Sequence, residues 1–64
     1  MSAQPDEISI EQRQVIFKAL VEAQDSGQSV AASRTTVAKL FTVTEEQVKQ
    51  IEREGSEHQW PPLS

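Results

Sequence analysis

The 64-residue chain contains no cysteine and no tyrosine, only two glycines, and three aromatic residues in all, Phe17, Phe41 and Trp60. Without cysteine, neither a disulfide framework nor a thiolate zinc site can supplement a core, so stability must come from packed side chains. A domain this small buries only about 60% of the surface its unfolded chain exposes, which leaves little room for a cofactor pocket or substrate cleft. A single histidine, His58, stands in a polar stretch with no nucleophile beside it, so nucleophilic and metal chemistry lack their usual constellations. The carboxylates are scattered over helix surfaces and suggest solvation more than an acid and base pair. We expect no enzyme, no cofactor, no metal and no small-molecule substrate.

No apolar run approaches the roughly 20 residues needed to span a bilayer, and "MSAQPDEIS" lacks the basic-then-apolar order of a secretory signal. The expectation is a cytoplasmic protein with no membrane partner.

What is present is helical periodicity. Residues 1–8 are polar, carry Pro5 and form an expected tail. Ser9 followed by Gln12 fits a capping box and opens a helix over about 9–26, with Ile10, Ile16, Phe17, Leu20 and Ala23 on one face. Gly27 is its expected stop. "GQSVAAS" then reads as a connection with Val30 turned inward, and Ser33 as the cap of a second helix over about 34–41 that buries Val37, Ala38, Leu40 and Phe41. Thr44 and Gln47 form another capping box, opening a third helix over about 44–54, with Glu45 and Glu46 where the helix dipole favours negative charge and Gly55 as its stop. The organisation expected is an all-α, three-helix bundle over residues 9–55, followed by an irregular or polyproline-like tail over 56–64.

Residues 34–53, "RTTVAKLFTVTEEQVKQIER", resemble the helix-turn-helix of bacterial DNA-binding proteins, including sigma factors and small transcriptional regulators. The small residue Ala38 stands at the fifth position, and Val37, Phe41, Val43, Val48 and Ile51 fill the apolar slots. At the ninth position, where the family usually has glycine, this chain has Thr42. The resemblance implies sequence-specific binding of double-stranded DNA, with the third helix in the major groove and its early residues, from Thr44 onward, nearest the bases.

With Val48 and Ile51 turned inward, Glu46, Lys49, Gln50 and Arg53 fall on the opposite side of the third helix. Gln50 matches adenine, and Lys49 or Arg53 matches guanine or a phosphate. Ser33, Arg34, Thr35 and Thr36, opening the second helix, either hold a phosphate or simply cap. Glu45 is placed to pair with Lys49, and Glu52 and Glu54 lie on the flanks. Arg13 is expected to lay its aliphatic stem along the core rim.

The stretch from Arg34 to Arg53 carries a net charge of +1 within a chain of −4. Few cations are therefore available to displace phosphate counterions, and a homodimer or a larger protein partner would be needed for tight binding. A protein-interaction module is the alternative, using the helical surface or the tail. There Trp60 either closes the core or, with Pro61, Pro62 and Leu63, docks on a partner.

Overall fold

The computed structural model describes residues 8–63, and the tail expected over residues 1–8 lies outside them except for Ile8. Three helices, α1 (Ile10–Asp25), α2 (Val30–Phe41) and α3 (Glu45–His58), pack against one another as an all-α bundle with no strand among the described residues. None is long and apolar enough to cross a membrane.

Each helix begins where a hydroxyl takes an orphan N–H. Ser9 Oγ accepts from Gln12 N at 3.1 Å, Ser29 Oγ from Ala32 N at 3.1 Å and Thr44 Oγ1 from Gln47 N at 3.0 Å. The second of these corrects the expected start of α2. Ser29, not Ser33, is the cap, because the two alanines that follow extend the helix by a turn and leave Ser33 inside it. Ser33 is fully buried there, donating to Val30 O at 2.7 Å and accepting from Gln24 Nε2 at 3.1 Å, so its hydroxyl joins α1 to α2.

Each helix also ends on a left-handed residue followed by a six-to-one hydrogen bond. Gly27 (φ 109°) closes α1 as expected, with Gln28 N donating to Ala23 O at 3.2 Å. Thr42 (φ 57°, ψ 47°) closes α2, with Val43 N donating to Ala38 O at 3.0 Å. A β-branched residue resists this conformation, and the hydrogen bond together with the packing of Val43 on the core holds it there. Replacing Thr42 with glycine is expected to stabilise the domain by about 1 kcal/mol, seen as a higher urea midpoint at unchanged slope.

α3 passes straight through Gly55, its expected stop, and ends at His58, with Gln59 (φ 52°) left-handed. Gly55 serves proximity instead of termination: a Cβ there would lie 2.5 Å from Phe17 Cε1 and 2.7 Å from Phe17 Cγ. Trp60 N donates to Gly55 O at 3.0 Å, which swings the indole back onto Phe17 in an edge-to-face contact with centroids 6.1 Å apart. The packed unit therefore extends past Gly55 to include Trp60, and the following residues make a turn with Leu63 N on Trp60 O at 2.8 Å, not a polyproline run.

The core comprises Ile16, Phe17 and Leu20 of α1, Val37 and Ala38 of α2, Val48 and Ile51 of α3, and Trp60, with Ile8, Phe41 and Val43 packed at its edge. Three expected core residues are outside it: Ile10 is 48% exposed, Val30 46% and Leu40 69%. Ile10 and Val30 are the first residues of their helices. Leu40 is on the outer side of α2, because burying both Val37 and Ala38 turns it toward solvent.

Candidate nucleic-acid interface

The α2–turn–α3 unit sets the orientation of one helix face. Thr44 and Gln47 complete a reciprocal capping box, Thr44 N donating to Gln47 Oε1 at 2.9 Å, so the first turn of α3 is fixed at both partners. Val48 and Ile51 are buried against α1 and α2. Their position forces Glu46, Lys49, Gln50 and Arg53 outward, and all four are exposed. Among the described residues none of the four side chains makes a hydrogen bond or ion pair.

The other carboxylates of this region are engaged. Glu52 Oε1 lies 2.8 Å from Arg34 Nη2 and accepts from Arg34 Nε at 2.9 Å, which ties α3 to α2. Glu54 Oε1 lies 3.0 Å from Arg13 Nε, which ties α3 to α1. Arg13 also donates from Nη1 to Ile8 O, so its stem and charge are both spent on the bundle rim as expected. Glu45, expected beside Lys49, instead accepts from Thr35 Oγ1 at 3.0 Å. Three of the four acids in residues 41–54 are thus neutralised or hydrogen-bonded within the fold, and Glu46 alone projects freely.

The group expected to hold a phosphate does not assemble. Ser33 is buried, Arg34 is committed to Glu52, and the half-buried Thr35 donates its hydroxyl to Ala31 O and Glu45 in turn; only Thr36 remains exposed. The reason is the extra turn of α2, which moves the free N–H groups of the helix start to residues near Ser29. Thr44 is likewise spent on its cap.

The outward strip is longer than the sequence alone suggested. Because α3 continues to His58, Glu57 follows Arg53 by four residues on the same side and is exposed. Its only sequence signal was the tolerance of Gly55 within a helix. The full strip, Glu46, Lys49, Gln50, Arg53 and Glu57, is electrically balanced, with cations at its middle and a carboxylate at each end.

Trp60 is 7% exposed and belongs to the core, while Pro61, Pro62 and Leu63 stay exposed. Pro61 lines a shallow groove with Glu11, Gln14, Val15 and Lys18 of α1. No group of three or more His, Cys, Asp or Glu side chains placed to hold a metal occurs among the described residues. Comparison with protein-family models, with curated proteins and with solved structures returns no match to this chain.

Proposed function

We propose that this domain binds double-stranded DNA sequence-specifically through a helix-turn-helix formed by α2 and α3, with α3 in the major groove, and that it regulates transcription in a bacterial or phage setting. The observation that carries the reading is the sorting of charge on α3. Every acid that would face the flanks is tied to α1 or α2, and what is left projecting is one continuous strip of unpartnered hydrogen-bonding groups. The left-handed turn at Thr42 and the buried Ala38 support this reading, since a helix-turn-helix needs a tight connection and a small residue between its helices. In this reading Gln50 pairs with adenine and Arg53 or Lys49 with guanine or a phosphate.

Balanced charge on the strip makes affinity modest and its salt dependence shallow for one copy, so a homodimer or a larger protein partner supplies the rest. Anisotropy of a labelled duplex at low salt tests this. The double variant K49A/R53A is expected to lose at least about tenfold in affinity and to flatten the dependence of log K on log salt by about 1 to 2, whereas K18A on α1 binds as the native protein does. Equal binding by K49A/R53A and the native chain would sink the reading. The second reading, a protein-interaction module, is favoured by the exposed Val15 and Pro61 that line the α1 groove, without Trp60 as an anchor.

A further inference from the structure

We propose that the outer face of α1 is a self-association surface, on which a second copy of this chain docks antiparallel about a two-fold axis passing between Gln14 and Val15. A shallow groove is lined there by Glu11, Gln14, Val15 and Lys18 of α1 and by Pro61, which follows α3. Val15 is 51% exposed and Pro61 is exposed, which gives the face an apolar middle, and Glu11 and Lys18 stand exposed on either side of it. Among the described residues neither of these two charged side chains makes an ion pair or hydrogen bond.

The spacing makes this face complementary to itself. Glu11 and Lys18 are two helical turns apart, about 10 Å along the axis, and Gln14 and Val15 lie midway between them. An antiparallel second α1 centred on that midpoint sets Glu11 of each copy against Lys18 of the other, with both Val15 side chains at the centre. A different protein would need the same order of charges by coincidence, whereas a second copy has it by identity.

Charge also selects this face over the rest of the surface. Two copies at −4 each repel in most orientations, but the α1 face brings one cation and one anion from each. The strip on α3 is balanced too, yet the same operation about its midpoint would set Glu46 against Glu57. Two turns of helix and a proline bury less than the about 800 Å² that each partner gives to a standard interface, so the dimer is weak. Its exposed ion pairs fix orientation more than strength. Self-association occurs without DNA, so it goes beyond the DNA-binding reading while supplying the second copy that reading calls for.

Sedimentation equilibrium over a concentration series without DNA tests the surface, once circular dichroism has shown equal helix content for every variant. The native chain is expected to show a monomer–dimer equilibrium. E11K and K18E are each expected to weaken the dimer at least about tenfold, because each puts two like-charge pairs into the contact. E11K does so while lowering the net charge from −4 to −2, the reverse of what general repulsion predicts. An equimolar mixture of E11K with K18E, and the double variant E11K/K18E, are expected to recover the association, since both arrangements oppose unlike charges again. K18A, which deletes an exposed pair and adds no repulsion, is expected to stay near native. A native chain that is monomeric across the series would overturn the proposal and leave the groove to a different protein. Single variants that dimerise as the native chain does, or a mixture that fails to recover, would overturn it as well. Loss of DNA binding with self-association intact would count against the DNA reading alone.

Discussion

Replacing Trp60 with alanine is expected to cost about 3–5 kcal/mol, the usual penalty for emptying a buried indole site. A domain of this size holds about 3–10 kcal/mol in total, so the variant should be close to unfolded at ambient temperature. The effect is large because the ring packs edge-to-face on Phe17 as part of the core, whereas the backbone N–H that satisfies Gly55 O and closes α3 is kept by alanine. Thermal denaturation followed by circular dichroism should show the midpoint falling by at least about 12 °C. Leu63→Ala, at a half-exposed position, should change stability by no more than about 0.5 kcal/mol. A loss below about 1 kcal/mol for W60A would mean that the tail does not belong to the core.

Gly55→Ala is expected to destabilise, against the helix preference at that position. In an unobstructed helix interior the change would gain about 1 kcal/mol. Here the added methyl would overlap the ring of Phe17, which is 2% exposed and packed edge-to-face with Trp60, so it has little room to move. Overpacking of this kind costs about 1–3 kcal/mol and sometimes more, and we expect a net loss of about 1–3 kcal/mol in chemical denaturation. Phe17→Leu should relieve it. In that background G55A should cost at least about 1 kcal/mol less, a coupling that separates ring overlap from a change in helix propensity. A stabilising G55A would contradict the close approach of α1 and α3.

These two positions also show where the sequence stops being readable. Ser9 and Thr44 were legible as caps because a hydroxyl ahead of a helical period is a local pattern, but the capping box expected at both closes only at Thr44, since the Gln12 side chain does not reach back to Ser9. Also legible was the buried seam of Ile16, Phe17 and Leu20 with Val37, Ala38, Val48 and Ile51, although the same periodicity also drew in Ile10 and Leu40, which are exposed. Gly55 was not, because a glycine after a charged run signals a helix stop just as well as a close tertiary contact, and only the ring of Phe17 decides between them. Local pattern places the cap of α2 at Ser33 and passes over the serine four residues earlier, Ser29, as part of a connection. Burial settled the choice, because Gln24 on another helix supplied a partner for Ser33.

The candidate site was legible in outline and not in its electrostatics. Once Val48 and Ile51 were assigned inward, the strip Glu46, Lys49, Gln50 and Arg53 followed from helix geometry. The pairing of Glu52 with Arg34 and of Glu54 with Arg13 joins residues 18 and 41 positions apart, which no local pattern encodes. That pairing removes both arginines from the DNA ledger, and it reduces the phosphate-holding group expected from Ser33 to Thr36 to an exposed Thr36. Base reading by α3 then bears more of the proposed recognition than backbone contacts by α2.

The most direct test of the account is a titration of isotope-labelled protein with duplex DNA at low salt, followed by amide chemical shifts. The account predicts shifts concentrated between Thr44 and Arg53, strongest at Glu46, Lys49, Gln50 and Arg53, with α1 nearly unmoved. No shifts at saturating duplex, or shifts gathered around Val15, Lys18, Pro61 and Leu63, would contradict it.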